Sequence, residues 1–209
     1  SARDSEYTVT PNSGNPLTIE GGGSGSLTFE VSVLGSATLE EITVDGVISG
    51  TDSNSGGTIS DSDASVVDNW TVESPAGLEI TSISATSVLV TQGQTGIAVT
   101  MEVLNNGDGT ANLSSGDLWF WASPVAGSSN SRDDEYTVTV AGGNPATLSG
   151  GEVASFVLSV DVSVVAMTEE ITFRGQVEGT DVNSGSPIDT GPSSVEDHWT
   201  VQSALEITS

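Results

Sequence analysis

Twice in this chain an aspartate and an asparagine stand two residues apart in a loop flanked by glycine. The loops are Gly50-Thr51-Asp52-Ser53-Asn54-Ser55-Gly56 and Gly179-Thr180-Asp181-Val182-Asn183-Ser184-Gly185. Oxygens so spaced can point at one centre, and calcium takes roughly six to eight oxygen ligands. Asp52, Asn54, Asp181 and Asn183 are therefore the candidate metal ligands, and calcium is the one ion the chain could take; no cofactor is required. Asp61, Asp63 and Asp68 could add to the first loop. Asp189 and Asp197 stand near the second, which has fewer intervening acids. The competing reading is a turn in which Asp and Asn bond their own backbone, and the thinner acid content of the second loop favours it. Asn106-Gly107-Asp108-Gly109 is no EF-hand, because Leu104 occupies the place of its first ligand.

Catalytic chemistry has less to work with. His198 is the only histidine, and no Gly-x-Ser-x-Gly elbow occurs. A serine triad would need that single imidazole, which reads more simply as a surface substitution. Glu40-Glu41 and Glu169-Glu170 are paired carboxylates, but at strand starts they read as solvated rather than as an acid/base pair. The expectation is a chain that is not an enzyme, with no catalytic residue.

Trp119 and Trp121 share one face of a strand, and Leu118 and Phe120 share the other. One face must be core. The tryptophans are expected inside, as large aromatics of a sandwich core; facing outward they would instead form a platform for a sugar ring. Trp70 and Trp199 are also expected to be core. Arg3 and Arg132 each sit among acids, Asp4/Glu6 and Asp133/Asp134/Glu135, where a guanidinium can hold two carboxylates and pin a loop or a module junction.

These pairs are no coincidence, because the chain repeats itself. Arg3-Asp4-Ser5-Glu6-Tyr7-Thr8-Val9-Thr10 returns as Arg132-Asp133-Asp134-Glu135-Tyr136-Thr137-Val138-Thr139, an offset of 132 − 3 = 129. The match runs without a gap to Ser74/Ser203, with 36 of 72 paired positions identical. Leu78-Glu79-Ile80-Thr81-Ser82 then recurs as Leu205–Ser209. Nothing in the first copy matches residues 76–130. The expected organisation is a partial module at 1–75, a complete one at 76–204, and at 205–209 the opening strand of a further repeat or a donor strand. Domain-sized repeats make arrays, and arrays serve as spacers, stalks or fibres.

Composition sets the class. Twenty-five glycines and a hydrophobic fraction of 35% suit a loop-rich all-β protein. There is no lysine, and 29 acids leave a formal charge of −26, which disfavours nucleic acid and anionic lipid as partners. Cysteine is absent, so disulfides and thiolate metal sites are excluded. Without lysine, a lysine–asparagine isopeptide crosslink is excluded too. No apolar run reaches the roughly 18 residues of a membrane span. The sequons Asn69-Trp70-Thr71 and Asn112-Leu113-Ser114 acquire meaning only in a glycosylating host.

Hydrophobic period two runs through Leu27–Val33, Phe156–Val162 and Ile97–Val103, with further strands expected at Leu118–Trp121, Glu135–Val140, Glu170–Glu178, His198–Gln202 and Leu78–Ala85. About seven short strands parted by Gly, Ser, Asn, Asp and Pro predict a two-sheet β-sandwich of immunoglobulin-like type. Val90-Thr91-Gln92-Gly93-Gln94-Thr95, then Val99–Val103, then Asn105 and Gly107 before Thr110-Ala111, followed later by Trp199-Thr200-Val201, carry a resemblance to a known family. The complete unit resembles the immunoglobulin-like repeats of bacterial and archaeal surface proteins, particularly the CARDB (cell-adhesion-related) type. The resemblance implies a tandem scaffold module at the cell surface or outside the cell, and it brings no active site.

The expected role is thus a non-enzymatic element of an extracellular fibre, filament or stalk, whose partners are adjacent repeats or copies of itself. The short junction Ser74–Gly77 leaves little hinge freedom. Either this chain is an excerpt of a longer array, or a strand such as Leu205–Ser209, presenting Leu205 and Ile207, completes the partial module of a neighbour by β-augmentation. The alternative is an adhesin or carbohydrate-binding module that engages a surface glycan through Trp119/Trp121 and acidic calcium loops.

Overall fold

The computed structural model describes residues 3–61, 66–123 and 131–204; Asp63, Leu205 and Ile207 lie outside them. The chain is all-β and divides into two compact units, Ser1–Glu73 and Ser74–Ser209. Among the described residues no helix is long and apolar enough to cross a membrane.

In the first unit the strands are β1 (Tyr7–Pro11), β2 (Phe29–Val33), β3 (Glu41–Asp45), β4 (Ile48–Thr51), β5 (Thr58–Asp61) and β6 (Val67–Thr71). They pair only as separate two-stranded ribbons: β1 with β2, β3 with β6 and β4 with β5. All three pairings are antiparallel. Two-stranded ribbons are marginal in water because each has only one neighbour to bury against.

The second unit holds β7 (Leu78–Ala85), β8 (Leu89–Thr91), β9 (Ile97–Asn105), β10 (Ala111–Ala122), β11 (Tyr136–Val140), β12 (Thr147–Leu148), β13 (Val153–Val162), β14 (Glu170–Asp181), β15 (Pro187–Asp189) and β16 (Glu196–Gln202). One sheet runs β11-β13-β9-β7; the other runs β12-β10-β14-β16-β8, with β15 beside β14. The β8–β16 pair is parallel. Burial in β9 alternates strictly, as its Ile97/Val99/Met101/Val103 pattern requires. The two inner faces meet in a core that includes Met101, Phe120, Leu158, Phe173 and Trp199.

Two glycines let the layers approach. A Cβ on Gly175 would collide with Met101 Sδ, and one on Gly116 would come within 2.7 Å of the Phe156 ring. Any side chain there would displace a buried neighbour.

The aromatic centre carries a pH signature. Tyr136 stacks on Phe120 at 4.1 Å and lies 5.7 Å from Trp199. Neither its hydroxyl nor the Trp199 indole N–H makes a hydrogen bond that satisfies it. Burial pushes the phenol up from the ordinary 10 to about 12, opposed in part by the Trp199 indole. The folded unit keeps this proton in a window where the unfolded chain releases it. Stability therefore falls as pH rises through that window, by up to about 1.4 kcal/mol per pH unit for this group. The loss of urea midpoint between about pH 9 and about pH 11.5 should be smaller in Tyr136→Phe than in the parent. An equal loss in both proteins would remove Tyr136 as its source.

Candidate functional site

The offset of 129 allows each buried position of the second unit to be compared with its counterpart in the first. Half of the buried core of the second unit comes from residues 76–120, the stretch with no counterpart in the first. The other half, from Tyr136 to Val201, has an apolar counterpart at every position, from Tyr7 to Val72. None of those counterparts is buried, and no described residue of the first unit is. Trp199 is 0% exposed and Trp70 36%; Leu158 is 0% exposed and Phe29 50%; Val162 is 3% exposed and Val33 47%. The same side-chain pattern is core in one unit and solvent-facing in the other.

What is missing can be named strand by strand. In the second unit β9 lies between β13 and β7, and β10 pairs with β14 along most of its length. The first unit has no equivalents of β7 to β10. Its counterpart of β14 consequently breaks into β3 and β4 at Gly46-Val47, with no neighbouring strand to carry the ladder through. Trp70 was expected to be core. It is 36% exposed: of the rings packed on Trp199, Phe120 has no counterpart in the first unit and Phe173 is replaced by Val44.

Around this face the two units build the same polar node. Arg132 Nε lies 2.7 Å from Glu169 Oε1 and 3.5 Å from Glu135 Oε1, and Glu135 Oε2 accepts the Met167 N–H at 2.7 Å. At the matching positions Arg3 reaches Glu40 at 2.8 Å and Glu6 at 3.0 Å, and Glu6 accepts the Thr38 N–H at 3.0 Å. The Thr38 N–H, with Arg3, holds the Glu6 carboxyl below the usual carboxylate range. The expectation that the arginine pins a loop is realised in both units: it ties the short 3-10 turn before β1 or β11 to the loop entering β3 or β14. Tyr7 and Trp70 also keep their mutual approach, at 6.1 Å. The first unit thus keeps the node and the aromatic approach of the matching half of the second.

The loop carboxylates are engaged with backbone donors: Asp52 with those of its own loop, Asp181 with its own loop and with the distant Ala76. Asp52 Oδ1 accepts the N–H groups of Asn54 (3.0 Å) and Ser55 (2.7 Å) and the Ser55 hydroxyl (2.8 Å). The Ser55 N–H leads these donors in holding Asp52 below the usual range. Asp181 is buried and accepts the N–H groups of Ala76 (2.8 Å) and Ser184 (2.6 Å). Burial pushes its carboxyl up, but the Ala76 and Ser184 donors outweigh this and hold it below the ordinary value. These are the geometries of the turn reading. Among the described residues no three His, Asp or Glu side chains gather as a metal-holding group.

Trp121 is buried and Trp119 half-buried, but neither joins the central cluster. Leu118 and Phe120 do, and the tryptophans occupy the opposite face. Alternation allows only one of the two pairs inward, and the smaller Leu118/Phe120 pair fits the space between the sheets. Trp121 is nonetheless nearly covered, with the Arg174 guanidinium 5.1 Å from its ring centre and held there by Glu196 at 2.9 Å. Trp119 is half-buried. An open two-ring platform is therefore not formed. A 270 Å³ cleft beside Trp119 is lined by Asp117 and Asp133, but Asp117 caps the Leu118 N–H and Asp133 the Phe120 N–H. His198 is exposed, with Asp197 4.0 Å away.

Asn105 was noted in the sequence only as part of a hairpin pattern, and the structure gives it a larger part. It is fully buried. Its Nδ2 donates to the carbonyls of Gly109 (2.7 Å) and Leu148 (3.0 Å), and its Oδ1 accepts the N–H groups of Gly77 (3.0 Å) and Gly107 (3.2 Å). The turn-rich Asn-Asn-Gly-Asp-Gly run was the available signal.

No protein-family model matches the chain, and no curated protein matches it. Among solved structures, AvmM, which catalyses macrocyclization in alchivemycin A biosynthesis, aligns with a TM-score of 0.38 and 8% identity over 64% of this chain and 92% of its own. The periplasmic chaperone SfaE aligns with a TM-score of 0.27 and 14% identity over 59% of this chain and 60% of its own. Both likenesses are too distant to carry a function across.

Proposed function

We propose that the chain is a non-enzymatic structural module of an extracellular fibre, filament or stalk, built from immunoglobulin-like units in tandem. The observation that carries this reading is the repeat itself: 36 of 72 positions are shared, and both copies build the same arginine–glutamate node. Repetition of a scaffold without a recurring reactive group serves extension rather than chemistry. Strand order supports the immunoglobulin-like assignment. Taking β7, β9, β10, β11, β13, β14 and β16 as strands A to G, one sheet reads D-E-B-A and the other C-F-G. The high negative charge fits a surface exposed to salt, and the partners of this reading are copies of the chain itself or adjacent repeats of the same chain.

Electron microscopy of the native material, with and without a calcium chelator, tests the proposal. Long fibres with an axial repeat of one or two modules are expected. Their loss in chelator would make calcium part of the assembly. Dispersed particles in both conditions would overturn the filament reading.

A further inference from the structure

We infer that the cleft beside Trp119 is a docking site for a basic side chain, arginine or lysine, of a partner protein other than a copy of this chain. The inference goes beyond the filament reading and does not rest on it. The cleft has a volume of 270 Å³. Leu118, Phe120 and Tyr136 in its walls are buried, at 3%, 1% and 8% exposure. What a ligand meets is therefore the half-buried Trp119 ring and the exposed carboxylates of Asp117 and Asp133.

Strand geometry brackets that ring with negative charge. Asp117 precedes Trp119 by two residues on the same face, roughly 7 Å along the strand. Asp133 is fixed on the other side: its Oδ1 accepts the N–H of Phe120, the residue after Trp119, at 2.7 Å, and its Oδ2 accepts the Ser131 hydroxyl at 2.9 Å. Asp117 Oδ1 accepts the Leu118 N–H at 2.8 Å, and its Oδ2 has no partner among the described residues. These bonds orient the two carboxylates without neutralising them. An aromatic face flanked by carboxylates is the chemistry that holds an organic cation.

The chain supplies its own template two residues along the same strand. Trp121 carries the Arg174 guanidinium 5.1 Å from its ring centre, and Glu196 Oε2 holds that guanidinium at 2.9 Å. Trp119 repeats the ring and the acid, but the cations of the chain are engaged elsewhere. Arg3 lies with Glu6 and Glu40, Arg132 with Glu135 and Glu169, and Arg174 with Glu196, while His198 is beside Asp197.

These engagements also select the partner. A second copy has no lysine and the same three committed arginines, so the cation comes from a different protein. The net charge of −26 draws a basic partner in from a distance, and the cleft gives it one place to settle. Approach is from a sheet edge: β14 pairs with β10 along one side, whereas β12 covers the other side only at Ala111 and Asn112.

The test titrates the full chain with end-capped Gly-Arg-Gly and Gly-Lys-Gly peptides, with Gly-citrulline-Gly as the uncharged control. The four indole N–H resonances are followed by nuclear magnetic resonance. Both basic peptides should shift the Trp119 resonance with a Kd on the order of 1–10 mM, and the citrulline peptide should not. Asp117→Asn with Asp133→Asn keeps both backbone caps and should weaken binding at least about tenfold. Glu20→Gln with Glu30→Gln removes the same charge elsewhere and should weaken it less than about twofold. Trp119→Ala should cost about two- to fivefold. Equal losses in the two double variants would overturn the inference in favour of general counter-ion attraction. Basic peptides that leave the Trp119 resonance unmoved would overturn it as well, as would an equal response to citrulline. A response to cellotriose but not to the basic peptides would replace it with a sugar site. None of these results depends on whether native material forms fibres, so the filament reading stands or falls separately.

Discussion

Trp199→Ala should cost the second unit about 3–5 kcal/mol, while Trp70→Ala at the matching position should cost the chain less than about 1 kcal/mol. Trp199 is fully buried and has Phe173 at 4.5 Å, Phe120 at 5.6 Å and Tyr136 at 5.7 Å around its ring. Truncation there forfeits the transfer energy of the indole and leaves a cavity among side chains that cannot all collapse inward. Among the described residues Tyr7 is the one ring in contact with Trp70, and solvent already reaches the indole. Urea unfolding followed by far-ultraviolet circular dichroism would read both variants. Equal costs would mean that the first unit encloses Trp70, and the argument from matched positions would fail. The tandem pair is useful because half of the paired positions and the local node are shared while the burial differs.

Asn105→Ala should destabilise the second unit by about 3 kcal/mol or more. The side chain offers two donors and one carbonyl oxygen, and all are satisfied by backbone groups of Gly77, Gly107, Gly109 and Leu148. Alanine would leave those groups without their partner in a site with no exposure, and each buried orphan costs about 1–3 kcal/mol. Asn105→Asp is the sharper variant: it keeps the shape and replaces two donors by a buried carboxylate facing the carbonyls of Gly109 and Leu148. It should be no more stable than the alanine variant at neutral pH and should recover part of the loss on acidification, as the carboxyl takes a proton and regains a donor. Thermal unfolding at two pH values checks this. An alanine variant within about 0.5 kcal/mol of the parent would show that the turn holds without the side chain.

Much of the strand pattern was readable because period two is strong wherever one face is buried. Ile97–Val103 and Leu78–Ala85 are examples, the latter matching β7 in its bounds. The strand around Leu118–Trp121 proved longer, reaching back to Ala111, because Asn112, Ser114, Ser115, Gly116 and Asp117 are polar or small and leave Leu113 without an alternating apolar neighbour. Short β8, β12 and β15 were invisible for a related reason: two or three residues cannot show a period. Orientation was harder than existence. Nothing in Leu118-Trp119-Phe120-Trp121 says which apolar pair faces inward, since both are large; the neighbouring sheet decides. The repeat made the incomplete first unit legible from sequence. That its residues would remain apolar yet uncovered required the burial of each position to be seen beside that of its twin.

The entry to the second unit has a mechanical consequence. Ser74 is bound to the loop that carries the chain from β9 to β10 in the other sheet, its hydroxyl donating to Asp108 at 2.6 Å and its carbonyl accepting the Gly109 N–H at 2.9 Å. Two residues on, the Ala76 N–H is held by Asp181 at the end of β14, and the Gly77 N–H by Asn105. A pull on the chain at Ser74 therefore does not meet the free end of β7, where strand bonds would open one after another like a zipper. It is divided at once between the loop that joins the two sheets and the end of β14, across several short bonds that must give together. Peeling is turned into shear at the first residues of the unit, and shear is the harder way to open a sandwich.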